Sequence, residues 1–118
     1  MKIFRFDSEV GQHIEMYDSN FVMSRIAMTE KPARIGCMYL QEDGIIGYHE
    51  AAVPQLFLVM SGEGWVVGNE GIKRRIIQGE AAFWERGEGH ETTTETGLAA
   101  IVIESEELNP SKFLREVK

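Results

Sequence analysis

Two histidines sit in short polar stretches, YHEAAVPQ (residues 48–55) and GEGHETTT (residues 87–94). With Gln55 they supply two imidazoles and a side-chain carbonyl, donors that suit a first-row divalent metal such as Fe, Mn, Ni or Zn. Flanked by threonine hydroxyls, the same groups make a hydrogen-bonding wall for a small organic molecule. In a strand, residues two apart share a face. His90, Thr92, Thr94 and Thr96 then point one way, and Glu91, Thr93 and Glu95 point the other. The first set is expected to face an interior, with the carboxylates in solvent. By the same parity His49 and Ala51 face inward, Glu50 faces outward, and Gln55 enters from the next strand after the break at Pro54. Gly87 and Gly89 are expected to turn the backbone sharply and aim the His90 imidazole.

The elements that hold these residues read as strands. Candidate runs are residues 2–6, 21–28, 34–40, 45–51, 55–61, 64–68, 72–78, 81–85, 90–96 and 98–104. Short strands at this spacing, punctuated by glycine, indicate a sandwich or barrel. Gly62-Glu63-Gly64, Gly68-Asn69-Glu70-Gly71 and Gly79-Glu80 supply residues able to adopt positive φ, so each is read as a tight turn between antiparallel neighbours. Residues 55–61, QLFLVMS, are apolar on both alternating faces. One face fills the interior and the other needs a cover, which predicts a homodimer. In the tail NPSKFLREVK, Asn109 suits a cap, Pro110 the first helical position, and Lys112, Arg115 and Lys118 the C-terminal half. A short helix over about 110–117 is expected, packing Phe113, Leu114 and Val117 on the domain. With no repeat or linker, the chain reads as one domain, 1–118, with a barrel over about 20–104.

Together the two histidine stretches resemble the paired signature of the cupin superfamily. Its second motif is Gly, five residues, Pro, one residue, Gly, two residues, His, three residues, Asn. Gly79, Gly87 and His90 fall on the glycines and the histidine, while Glu85 stands at the proline position and Thr94 at the asparagine position. In the first motif Gly62 fits the last glycine, Gln55 the glutamate position, His49 the first histidine and Ala51 the second. The resemblance implies an all-β fold, a cupin-type double-stranded β-helix or jelly-roll barrel, in which two of the four usual metal ligands are replaced. The family includes dioxygenases, isomerases, decarboxylases, sugar-binding modules, seed storage proteins and sensor domains, so the fold does not choose a reaction.

Three functions fit. The first is a module that binds a small organic molecule in the barrel, with His49, Gln55 and His90 converging on it and Thr92 and Thr94 lining the wall. The second is a metal-dependent enzyme of dioxygenase or isomerase type, in which His49, Gln55 and His90 hold one divalent ion. A shift of one residue in the first motif would bring Glu50 inside and restore a carboxylate. The third is a structural dimer with a vestigial pocket.

The remaining composition excludes other classes. At 118 residues and 13.4 kDa, twelve Lys and Arg against nineteen Asp and Glu leave a net charge of −7, so phosphate backbones and anionic membranes are repelled. No run approaches the ~18 apolar residues of a membrane span, and Asp7 and Glu9 interrupt the N-terminal stretch where a signal peptide needs apolar residues. A cytoplasmic protein is expected. Cys37, in the apolar run IGCMYL, reads as a buried thiol in a reducing compartment. His13 reads as a solvated surface residue, and Trp65 and Trp84 as core aromatics. No Ser-His-Asp order, nucleophile elbow or phosphate loop points to hydrolase or kinase chemistry.

Overall fold

The apolar and alternating runs become eleven strands in the computed structural model, which describes residues 1–118. They are β1 (Lys2–Arg5), β2 (Gln12–Ile14), β3 (Phe21–Met23), β4 (Ala33–Leu40), β5 (Ile45–Glu50) and β6 (Gln55–Val67), then β7 (Arg74–Ile77), β8 (Glu80–Trp84), β9 (Gly89–Thr93), β10 (Leu98–Ser105) and β11 (Arg115–Glu116). Every pairing is antiparallel. One layer runs β11-β1-β8-β6-β10-β4, and β5, β9, the second half of β6 and β7 form the other. A separate hairpin joins β2 to β3.

Strand β6 is the hinge between the layers. Gln55–Leu58 pair with β8 and β10, whereas Glu63–Val67 pair with β7 and β9. The expected turn at Gly62-Glu63-Gly64 is therefore a continuous strand that passes from one layer to the other. Gly62 carries a φ of +78°, and a Cβ there would meet the Gly97 carbonyl oxygen at 2.2 Å, so only glycine fits the crossing. Just before it, Met60 is bulged out between the Ala99↔Ser61 and Ala100↔Val59 pairs. The extra residue reverses the inward parity. Gln55, Phe57 and Val59 share the interior face before the bulge, and Val66 shares it afterwards. Trp65 is consequently turned outward and 38 % exposed, against the core position expected of it. Trp84 is fully buried, as expected. The turns at 68–71 and at Gly79 form with Gly71 at φ +73° and Gly79 at φ +90°.

Two apolar clusters result. Ile3, Phe57, Val59, Val66, Ile76, Ala82, Trp84, Leu98 and Ala100 fill the space between the layers, joined by Met38, Leu40 and Ile46. Phe4, Leu56, Leu58, Ala81, Phe83 and Leu114 lie on the opposite face of the larger layer, beneath Ile26, Leu108 and Phe113. The chain's own flanking segments thus cover the second face of the β6 start.

Two further expectations are corrected. The tail forms no helix: a single 3₁₀ turn at Pro110–Lys112 is followed by β11, which pairs with β1. Asn109 makes no cap bond, a lone helix of this length is marginal in water, and the free edge of β1 offers ladder hydrogen bonds instead. Phe113, Leu114 and Val117 still pack on the domain. Cys37 is exposed rather than buried. On β4 the inward positions are Met38 and Leu40, so the alternate residue Cys37 faces out, paired with Ile101. No helix is long and apolar enough to cross a membrane.

Candidate functional site

His49 and His90 meet because β5 and β9 pair with His49 opposite His90. A bulge between Ile46 and His49 shifts the pairing by one residue after Ile46↔Thr92 and so brings His49, rather than Tyr48, opposite His90. The two rings lie 4.3 Å apart at 51°. Gly87 adopts a φ of +81° in the turn before β9, which accounts for glycine there. Gly89 has a different reason: a Cβ would meet the Tyr48 hydroxyl at 2.0 Å, so its bareness makes room for a phenol rather than a turn. Its N–H donates to Asn69 Oδ1 at 2.6 Å, which holds the start of β9.

The two imidazoles differ in environment. His49 is exposed, and its Nδ1 lies 2.7 Å from the Gly47 carbonyl oxygen. A carbonyl only accepts, so that proton sits on Nδ1 and the neutral ring keeps its lone pair on Nε2. His90 is 2 % exposed and packs on the Trp84 ring at 4.5 Å, and the Trp84 Nε1–H donates to the Val67 carbonyl at 3.1 Å. The Nε2 of His90 is buried without any hydrogen-bond partner. Burial, with the adjoining His49, pushes the His90 pKa down to about 4, against a smaller upward pull from Glu88. At neutral pH His90 is therefore an uncharged imidazole with an unanswered nitrogen.

The other expected site residues separate into three groups. Gln55 is buried at the start of β6, opposite Trp84 in register, and Thr92 is buried opposite Ile46 and Val66. Thr94 is also buried, but its hydroxyl donates to the Glu63 carbonyl at 2.6 Å and accepts from the Gly97 N–H at 2.9 Å. That engagement closes the turn into β10. Thr96 lies beyond the end of β9 and is exposed, so the inward face expected for it ends at Thr94. Glu50 is exposed opposite Gly89, as the register required. His13 is exposed, with Asn20 as its partner.

The donor set does not fit the dication that the sequence motif brings to mind. No group of three or more His, Cys, Asp or Glu side chains gathers anywhere in the chain. Ala51, where a second imidazole would be needed, is 4 % exposed and apolar. The carboxylate nearest in influence, Glu88, is already held by the Met1 amine and by the Glu85 N–H at 3.1 Å. Two imidazoles and one amide leave no protein anion to offset a metal charge. Nor do the five principal clefts include His49, Gln55 or His90 in their walls. His49 is the exposed member of the pair.

Trp84 and Tyr48 are the site neighbours that sequence reasoning missed. The sequence suggests a core place for Trp84, and strand β8, which carries it, also sets its ring against His90. No window of sequence carries that signal, because the contact depends on how β8 and β9 are set by their shared neighbour β6.

No family model and no curated protein matches the sequence. Solved structures do. A cupin superfamily protein from Desulfitobacterium hafniense is 12 % identical, with 69 % of this chain and 72 % of that one covered at a TM-score of 0.60. An RmlC-like cupin from Shewanella frigidimarina is 18 % identical, covering 68 % and 70 % at 0.60. A predicted oxalate decarboxylase from Thermotoga maritima is 25 % identical, covering 60 % and 64 % at 0.56. These likenesses establish a shared fold.

Proposed function

We propose that this cupin-fold chain binds a small, uncharged organic molecule against the His49–His90 pair and needs no metal to do so. The observation that carries the reading is the buried, unpartnered Nε2 of His90. Leaving such a group unsatisfied costs about 1–3 kcal/mol, which a ligand offering a complementary hydrogen-bonding group recovers. The site favours an uncharged molecule because burial opposes charge on the imidazole itself, and Trp84 and Thr92 supply an apolar and hydroxyl wall. His49, exposed and with its Nδ1 proton directed at the Gly47 carbonyl, keeps an Nε2 lone pair as a second acceptor.

The test is a thermal-shift and calorimetric screen of chelator-treated protein against neutral azoles, amides, phenols and polyols. Binders are expected to stabilise the wild type and to lose that effect in His90→Phe, which fills the space without a nitrogen. A screen with no such binder, or binders indifferent to the substitution, would sink the reading.

Metal-dependent chemistry of dioxygenase or isomerase type is the second reading, favoured by the His49 tautomer, which is the one an imidazole Nε2 ligand requires. It is tested by metal content per chain in untagged protein. Near-stoichiometric metal that vanishes in His49→Ala with His90→Ala favours it over the first. The exposed, unpaired Cys37 accords with a reducing compartment and supports a cytoplasmic location.

A further inference from the structure

The outward face of the smaller layer carries a row of side chains that the histidine pair does not use. Ile45, Thr93, Trp65 and Arg75 lie opposite one another across β5, β9, β6 and β7, and residues paired in this way share a face. Thr92, Val66 and Ile76, the next residues along three of those strands, are buried, so the row faces away from the core. Trp65 stands in it because of the bulge at Met60, and a bulge is a common means of re-aiming a side chain. One exposed apolar residue needs no explanation by itself. Here, however, two clefts meet at the ring. One, of about 140 Å³, is walled by Glu63, Arg75, Glu95 and Thr96 with the indole. The other, of about 460 Å³, is walled by Lys73, Thr93 and Glu95 with the indole, and lies within the roughly 300–1,000 Å³ of small-molecule sites.

The polar groups around the ring are of both kinds, and most are unspent. Arg75 is held by Glu63 in an ion pair, which fixes one end of the face. Lys73 and Glu95 have no ion pair within the chain. The hydroxyls of Thr93 and Thr96 make no hydrogen bond within the chain either, whereas Thr94 between them makes two. Lys73 only donates, Glu95 only accepts, and a threonine hydroxyl does both. Lys73 and Arg75 balance Glu63 and Glu95, so a charge of either sign on a ligand meets as much repulsion as attraction.

We propose that this outer face is a second binding site, and that its ligand is a neutral saccharide with one pyranose ring stacked on Trp65. A pyranose has a face of C–H groups and an edge of hydroxyls. The C–H face matches the electron-rich face of an indole, and each hydroxyl both donates and accepts, as Lys73, Glu95, Thr93 and Thr96 together require. A flat aromatic ligand would cover the ring and leave those groups unanswered. A protein surface would need more apolar wall than the clefts offer, since the indole is the only large apolar group in either and the exposed Ile45 and Ile77 line neither. A phosphorylated ligand meets the net charge of −7. Thr93 points away from the face of β9 that carries His90 and Thr92, so this site stands independently of what the histidine pair binds.

The probes are maltohexaose, cellohexaose, xylohexaose and chitohexaose, titrated into the full chain by calorimetry. At least one is expected to bind at millimolar concentration or below. Tryptophan emission should shift to shorter wavelength as it does, because Trp65 is the exposed one of the two tryptophans and Trp84 is buried. Trp65→Ala should weaken binding by about tenfold or more, as loss of a stacking ring does. Trp65→Phe should keep part of the affinity, a check that does not depend on how well the truncated variant folds. Lys73→Ala with Glu95→Ala should also weaken binding while the melting curve stays that of the wild type. Oligomers of uronic acids or of free amino sugars should bind no better than their neutral counterparts. A wild type that binds none of the four, an affinity indifferent to both Trp65 variants, or a preference for the charged oligomers would overturn the proposal. Self-association of the wild type that Trp65→Ala abolishes would make this face an interface between copies and overturn it equally.

Discussion

Strands β8 and β4 are both apolar, and the chain treats them in opposite ways. β8 is buried on both faces, Ala82 and Trp84 between the layers, Ala81 and Phe83 under the flanking segments. β4 turns Met38 and Leu40 inward and leaves Ile35 and Tyr39 in solvent. The histidine pair straddles the same divide. His90 lies on the β8 side against Trp84 at 2 % exposure, and His49 lies on the exposed strand β5. One imidazole is thus held neutral and rigid while its neighbour faces water. The difference comes from which neighbours each strand has, since β8 lies between β1 and β6 and β4 has β10 alone. A site built across such a divide has a fixed wall and an adaptable one.

The largest effect should come from the fixed wall. Trp84→Ala removes a fully buried ring and the surface on which His90 rests. Urea denaturation is expected to show a loss of about 3–5 kcal/mol, the range for truncating a core aromatic. Tyr48→Ala on the exposed wall should cost within about 0.5 kcal/mol, as surface changes do. Comparable losses would break the contrast between the two walls.

Next in size is the pH dependence of His90. Its folded pKa of about 4 lies below the ordinary 6.5. Between those values the unfolded chain takes up a proton that the folded chain refuses, so folding is opposed as pH falls through the window. The contribution is complete above pH 6.5 and lost on approach to pH 4, amounting to at most about 3 kcal/mol. Chemical denaturation at pH 7.5, 6, 5 and 4 should show that slope in the wild type and a flatter one in His90→Phe. Equal slopes would mean that His90 is solvated, and the fixed wall would lose its claim.

Much of this was legible in the residues because alternation is a local property. The parity of β9 placed His90, Thr92 and Thr94 together, and counting from Gly62 put His49 at the first histidine position of the first motif. What failed was decided by neighbours that no window of sequence contains. The bulge at Met60 turned Trp65 outward, since one extra residue reverses parity for the rest of the strand. The tail carried helix signals, yet the free edge of β1 captured it as β11. The apolar run IGCMYL suggests a buried Cys37, but burying both faces of β4 requires a second layer that this strand does not have. Thr94 kept its buried place but spends its hydroxyl on the turn.

That engagement gives the third prediction. Thr94→Val preserves shape and removes both hydrogen bonds, leaving the half-buried Glu63 carbonyl and Gly97 N–H without this partner. A loss of about 1–3 kcal/mol is expected in urea titration, with ligand affinity at the histidine pair unchanged. An affinity that falls while stability holds would return Thr94 to the ligand wall.

The smallest effect lies on the seam between the two walls. Gly89→Ala places a methyl where the Tyr48 phenol now rests, 2.0 Å from its oxygen. The clash is with the far end of an exposed side chain, 58 % accessible, rather than with backbone. The ring should therefore swing aside at the cost of a rotamer change, about 0.5–1.5 kcal/mol. Truncating the ring should remove that cost, so the double variant Gly89→Ala with Tyr48→Ala is expected to be no less stable than Tyr48→Ala alone. The cycle isolates the contact, since the two residues touch and their effects need not add. Additive losses would mean that Gly89 is required by the backbone of β9 itself, and that the adaptable wall has no part in fixing where His90 stands.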